Sequence, residues 1–196
     1  MGDGGLVERA AAFAREVHAG DDRKGSGVDY FEGHLEPVAE LVRSSGGTDV
    51  QVAAAYLHDT AEDHGGQAML DRIAETFGPE VAEIVDHLSD SLVDTTTGAA
   101  KPPWEERKAA YVERLAGTPV ASLEVSVADK LQNAGSILAD HRRLGDEVWE
   151  RFNQTDPQRQ LWYYRSLADV FEARIPDHPL TARLTAVVDQ LTTETV

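Results

Sequence analysis

The segment Leu57-His58-Asp59-Thr60-Ala61-Glu62-Asp63 concentrates donor groups of two kinds, imidazole nitrogen and carboxylate oxygen. His58 and Asp59 follow the apolar run Ala53–Leu57, so the pair ends a core-facing stretch, where a charge requires a partner or a cation. Glu62 comes four residues after His58, and Asp63 four after Asp59. On a continuous helix that spacing stacks both acids one turn above the pair. Two further residues of the same donor types sit in apolar settings. His34 opens a predicted helix backed by Val38 and Leu41, and Asp129 lies inside Val125-Ser126-Val127-Ala128-Asp129-Lys130-Leu131-Gln132-Asn133. Asn133, one turn beyond Asp129, faces the same side. Two His and two Asp from three helices suit a divalent transition metal that accepts nitrogen and oxygen and keeps positions open to water. Taken alone, the segment 57–63 also reads as an acidic, solvated helix end with a satisfied histidine.

The elements that must position these groups are helical nearly throughout. Leu6, Ala10, Phe13, Ala14 and Val17 recur at helix spacing, and Gly20 is placed to stop that helix. Residues 21–33, rich in Gly and Asp, read as a loop. Helices are predicted from His34 to Ser44, from Thr48 or Asp49 through Asp59, around Leu70–Phe77, and from Pro79 to Leu88. Asp94 to Pro103 is the longest loop. Two amphipathic helices follow, over 104–116 and 119–139, and the second is the central candidate for the core. An aromatic cluster of Trp149, Phe152, Trp162, Tyr163, Tyr164 and Phe171 precedes a last helix over Pro179–Leu191. The reading is all-α: one domain over 1–196, with a motif-bearing core at 6–140 and C-terminal helices at 144–194 packed on it.

Lys and Arg number 18 against 35 Asp and Glu, a formal net charge of −17. That balance argues against nucleic acid or an anionic membrane surface as a partner, but permits a small anionic substrate in a local basic pocket. Cysteine is absent, which excludes disulfides, thiolate ligands and a Cys nucleophile. No apolar run reaches the roughly 20 residues of a membrane span. Met1–Gly5 carries Asp3 and no basic stretch, so no secretory leader is predicted and the expected location is cytoplasmic.

The H…HD…D pattern resembles the HD-domain metal-dependent phosphohydrolases. Further motifs resemble the hydrolase half of the RelA/SpoT enzymes and the small alarmone hydrolases. They are Phe13-Ala14 with His18, Gly20, Arg23 and Lys24; Tyr30 to Leu35 with Val38-Ala39; His58-Asp59-Thr60-Ala61-Glu62-Asp63; Phe77-Gly78 with Val81; and Ala128-Asp129-Lys130-Leu131-Gln132-Asn133. Together they cover residues 8 to 135. The chain departs from the pattern at Asp21, where Gln is usual, at Phe31, where Tyr is usual and Tyr30 is displaced by one, and at Leu35, where Pro is usual. These departures leave the ligand positions intact and alter the loop that would touch a nucleobase.

The resemblance implies a single HD-type helical bundle and one divalent ion, Mn²⁺, held by His34, His58, Asp59 and Asp129. Glu62 and Asp63 are then the catalytic acids that position or deprotonate water and handle the leaving group's proton. Arg23 and Lys24, adjacent cations on a Gly-rich loop, would face a polyphosphate, and Lys130 and Asn133 would bind phosphate or ribose. The implied activity is (p)ppGpp 3′-pyrophosphohydrolase, giving GDP or GTP plus pyrophosphate. The alternatives are hydrolysis of another phosphorylated metabolite, such as a different nucleotide or NADPH, and a silent nucleotide-binding module. With no second domain read after this one, synthesis of (p)ppGpp is not expected; the oligomeric state stays open. Arg107, Lys108 and Arg159 are weaker phosphate candidates. Trp162, Tyr163 and Tyr164 read as core before base-stacking platform. His18 reads as a helix-end hydrogen bond, and His64, His87, His141 and His178 as surface residues.

Overall fold

The computed structural model describes residues 5–23 and 27–195, and the described residues form helices and connecting turns with no strand. The order is α1 (Leu6–Val17), a π-helical turn (Phe31–Leu35), α2 (Glu36–Ser44), α3 (Asp49–Leu57), α4 (Thr60–Asp63), α5 (Gly66–Phe77) and α6 (Pro79–Leu88). Then come a 3₁₀ turn (Thr95–Thr97), α7 (Trp104–Leu115), α8 (Val120–Leu144), a 3₁₀ segment (Gly145–Arg151), α9 (Pro157–Arg174) and α10 (Pro179–Thr195). The all-α expectation holds. The aromatic run Leu161–Ala168 is the middle of α9, and α8 runs five residues past the predicted end at 139.

Two helices carry the architecture. In α3 every residue from Gln51 to Leu57 is buried, because an apolar helix with three consecutive alanines can be packed on all sides. It is capped reciprocally: the Thr48 hydroxyl accepts from Gln51 N, and the Gln51 side chain accepts from Thr48 N at 2.9 Å. The Gln51 amide also donates to the Ala121 carbonyl (3.0 Å) and to Glu124 (2.6 Å), pinning α3 to the start of α8. The long α8 packs against α2, α3, α6, α9 and α10. The buried side chains form one continuous cluster in which Leu57, Leu115, Leu123, Leu167 and Phe171 are fully enclosed. Truncating any one of these leucines to Ala costs about 2–5 kcal/mol by lost burial and the cavity left behind.

The chain does not run helically through the His58 motif. α3 ends at Leu57, His58 and Asp59 form a turn, and α4 restarts for one turn at Thr60. The His58 ring donates from Nδ1 to the Ala55 carbonyl at 2.8 Å, a side-chain bond taken up at the end of the helix. This corrects the expectation of a continuous helix with Glu62 and Asp63 stacked above the pair. After α4 the chain turns at Gly66, whose φ is +59° and where a Cβ would sit 2.2 Å from the Leu92 carbonyl. Only glycine allows this approach, which brings the segment after α6 against the start of α5.

Candidate metal centre

Three elements converge. His34 is carried by the π-helical turn, His58 and Asp59 by the break between α3 and α4, and Asp129 by the middle of α8. Pro37 lies in the first turn of α2 and has no N–H, which frees the carbonyl four residues earlier, that of Gly33. The Gln132 amide takes that place, donating to Gly33 O at 3.0 Å. With its nitrogen so committed, the Gln132 oxygen accepts from Arg23 Nη2 (3.1 Å) and from His34 Nδ1 (2.7 Å). A single glutamine thus ties α8 to the His34 turn and to the loop that carries Arg23.

These contacts fix the tautomers. His34 Nδ1–H donates to Gln132 and His58 Nδ1–H donates to Ala55 O, so each neutral ring presents a bare Nε2. The two Nε2 atoms lie 3.1 Å apart. Asp59 Oδ2 is 3.1 Å from both, and Asp129 Oδ1 is 3.5 and 3.6 Å from them. Acceptor atoms crowded this closely call for a positive charge between them, a metal ion or a proton on His58. The 3.1 Å spacing of the His34, His58 and Asp59 atoms is that of adjacent donors held about 2.1 Å from one ion, and Asp129 stands slightly further off, so the set fits a divalent transition metal. The same field acts on protons: burial opposes charge on His58, but Asp59 and Asp129 raise its pKa well above the ordinary imidazole value. Burial likewise pushes Asp59 up, and the charge and hydrogen bonds of His58 and His34 hold it well below the carboxylate range.

The remaining groups form a cavity of about 130 Å³ lined by Arg23, Tyr30, Glu62, Asp90, Lys108 and Lys130, together with Tyr111, Asn133 and Tyr163. Tyr30 donates to Asp59 at 2.6 Å. Lys130 donates to the outer oxygen of Asp129 at 2.6 Å, and Asn133 donates to the inner one. Arg23 is buried; its Nη2 also donates to Asn133 at 2.7 Å, and it lies over the Tyr30 ring. Glu62 accepts from Lys101 (3.0 Å) and from Asp90 N (3.1 Å). Burial and the charge of Asp90 raise its pKa, with Lys101 opposing. Asp90 itself pairs with Arg107 and, at 2.6 Å, with Lys108. Two buried donors in the lining, Arg23 Nε and the Tyr163 hydroxyl, have no partner among the described residues.

His34, His58, Asp59 and Asp129 are therefore brought together, and Arg23, Lys130, Asn133 and Glu62 face the same space. Asp63 is solvent-exposed and stands outside the lining; its packed surroundings and the charges of Asp59 and Glu62 push its carboxyl up to about 7. Lys24 lies outside the described residues. Arg107 and Lys108 are engaged by Asp90, and Arg159 makes an exposed ion pair with Glu105 at 3.2 Å. Tyr163 and Tyr164 are buried while Trp162 is exposed. His18 caps α1 and bonds Asp21, as expected of a helix-end residue. All four histidines read as surface residues are engaged, correcting that expectation: His64 bonds Asp21 (2.7 Å), His87 bonds Ser122 (2.9 Å), His141 is buried, and His178 accepts from Leu180 N (3.4 Å). Gln132, Tyr30 and Asp90 were not singled out by sequence spacing. Each acts through a partner at least 17 residues away, beyond the reach of helix periodicity.

An all-α core that turns two bare imidazole nitrogens and two carboxylates onto one point defines a candidate metal centre of the HD type. The chain belongs to the HD domain family, whose model matches residues 10–154. Among curated relatives, it is 29% identical over 164 residues to a probable guanosine-3′,5′-bis(diphosphate) 3′-pyrophosphohydrolase of Synechocystis sp., covering 82% of this chain and 21% of that protein. It is 34% identical over 128 residues to a probable GTP pyrophosphokinase of Mycobacterium leprae, covering 65% of this chain and 15% of the relative. The chain thus spans about a fifth or less of the length of the curated relatives it matches. Among solved structures, lmo0812 of Listeria monocytogenes superposes with a TM-score of 0.68 at 28% identity, over 82% of this chain and 99% of that one. A metazoan SpoT ortholog described as hydrolysing ppGpp superposes with a TM-score of 0.75 over 100% of this chain and 99% of its own, and at 18% identity shows the shared fold.

Proposed function

We propose that this chain is a Mn²⁺-dependent phosphohydrolase of nucleotide polyphosphates, acting on (p)ppGpp to release the 3′-pyrophosphate. The observation that carries the proposal is the composition of one cavity: acceptors converge on its floor, and donors line its wall. His34, His58, Asp59 and Asp129 would hold the ion, which supplies a bound water of lowered pKa and draws charge from a phosphoryl oxygen.

The chain's own groups do the rest. Arg23 and Lys130 offer charge-assisted donors to phosphate oxygens, and the unspent Arg23 Nε–H and Tyr163 O–H gain partners when an anion enters. Water adds to the phosphorus attached to the ribose 3′ oxygen, that O–P bond breaks, and the departing oxygen takes up a proton. Glu62 is half-buried and faces the cavity, and burial with the charge of Asp90 raises its pKa; it is the proposed donor. Asp63, exposed outside the lining, is proposed to exchange protons with bulk water. Nucleotide sites commonly enclose about 300–1,000 Å³, so a cavity of about 130 Å³ takes the reacting phosphates and leaves the nucleoside at the mouth.

That placement bears on selectivity. The Asp21 carboxylate, where the resemblance would place a Gln, is engaged by His18 and His64. Loss of one hydrogen bond to a base relaxes discrimination by about 1–3 kcal/mol. The expected result is Mn²⁺-dependent turnover of ppGpp together with adenine analogues, and Arg23→Glu should depress all of them alike. A panel of nucleotides and NADPH with identified products tests this. A strongly guanine-selective wild type contradicts relaxed selectivity; turnover of NADPH with none of ppGpp favours the alternative substrate; binding of ppGpp without products points to a silent module.

A further inference from the structure

A second cluster of ligand-type residues lies outside the centre described above. His18 follows α1, Asp21 sits in the turn after it, and His64 follows α4. Asp21 Oδ2 is 2.9 Å from His18 Nδ1 and 2.7 Å from His64 Nε2. One donor atom from each of the three residues falls within 4.8 Å of the others, and the two rings meet edge to face at 4.6 Å. The His18 side chain is enclosed, whereas those of Asp21 and His64 are 38% and 30% exposed. The cluster therefore has a rigid inner ligand and an open outer side, through which an ion can enter and water can complete its shell.

We propose that His18, Asp21 and His64 form a second divalent-ion site, independent of the His34–His58–Asp59–Asp129 centre. Two imidazole nitrogens and one carboxylate select a borderline transition ion such as Zn²⁺ or Co²⁺ over Mg²⁺ or Ca²⁺, which prefer oxygen. Binding needs both facing nitrogens bare. The proton displaced from His18 Nδ1 moves to Nε2, which lies 3.4 Å from the Thr60 hydroxyl, an acceptor that would hold the ring in the ligating tautomer. His64 Nε2 gives up its proton to solvent or to its other ring nitrogen.

The site would brace the substrate loop. His18 stacks on the Tyr30 ring at 5.1 Å, the Asp21 carbonyl accepts from Tyr30 N at 3.1 Å, and Tyr30 donates to Asp59. An ion there joins the ends of α1 and α4 and holds the base of the loop that carries Arg23.

The test is zinc stoichiometry by elemental analysis and titration calorimetry on the full chain. Asp21→Asn keeps the shape and loses the anion; His64→Gln removes the ring by a different route; circular dichroism checks the fold of both. The expected result is two equivalents in the wild type, one each in Asp21→Asn and His64→Gln with the lost event the weaker, and one in His58→Ala with the weaker event kept. A single equivalent in the wild type, or two equivalents of unchanged affinity in both Asp21→Asn and His64→Gln, overturns the proposal.

Discussion

The two histidine–carboxylate clusters are built from the same residue types and differ in what each ring nitrogen meets. At His34 and His58 the Nδ1 atoms are held by a glutamine oxygen and a backbone carbonyl, so both Nε2 atoms face carboxylates whose charge favours a positive centre. At His18 and His64 the nitrogens nearest Asp21 can carry the protons, and the cluster closes on itself through hydrogen bonds to one oxygen. The first arrangement needs a positive charge at its centre, either a metal ion or a proton on His58. The second is complete without one, so an ion there must displace its own hydrogen bonds. Residue types alone do not distinguish the two; the partners on the far side of each ring do.

The comparison is broken most severely by removing a donor from the first cluster. His58→Ala or Asp59→Ala should lose metal at that centre and all turnover, while far-UV circular dichroism stays helical. Undiminished metal at that centre in both variants contradicts the assignment. A smaller effect is expected of Glu62→Gln, which leaves the four donors in place. Metal content should persist and turnover should fall by about 10²-fold, the scale of general acid–base assistance. Near-normal turnover removes Glu62 from the proton chemistry. The far-side argument is sharpened by Gln132→Ala, which removes the acceptor that fixes the His34 tautomer without touching a ligand. Metal affinity should weaken by about 10–100-fold, measured by calorimetry with Mn²⁺; unchanged affinity means the tautomer is set elsewhere.

A last prediction concerns stability at the cavity rim. Burial alone would push the Asp90 carboxyl up, but Lys108 and Arg107 hold it below the ordinary carboxylate range. A depressed folded-state value means that stability is gained above the unfolded pKa of about 3.9 and lost as pH falls through the folded one. Asp90→Asn should therefore cost about 3 kcal/mol of stability at pH 7, read as a lower melting temperature, through lost pairing to two half-buried cations. The gap from wild type should begin to narrow below about pH 4 and close only as pH approaches the depressed folded-state value. A gap independent of pH would assign the loss to packing.

The helical class was legible in the sequence, and so was the enclosed setting of the residues that the structure brings together, because apolar periodicity marks helices and a charged residue within an apolar run marks a buried site. Asp129 is the clearest instance: Val125, Val127, Ala128 and Leu131 around it are buried, and so is Asp129. The break at His58–Asp59 was not legible, since nothing in the local residues opposes a continuous helix and the bond from the His58 ring to Ala55 O is specific to the folded geometry. Gln132 illustrates a second limit. It follows Asp129 by three positions, yet its role comes from Gly33 and His34, 99 and 98 residues away. Periodicity places a side chain on a face but does not say what arrives opposite it. His64 was missed in the same way, its partner Asp21 being 43 residues distant.

The central claim is tested most directly by stripping the protein with chelator and following pyrophosphate release from ppGpp as Mn²⁺ is restored. No turnover before addition, and GDP with pyrophosphate in equal amounts once the tighter site fills, is the predicted result. Turnover that survives chelation, or a filled tight site that yields no pyrophosphate from ppGpp, would contradict it.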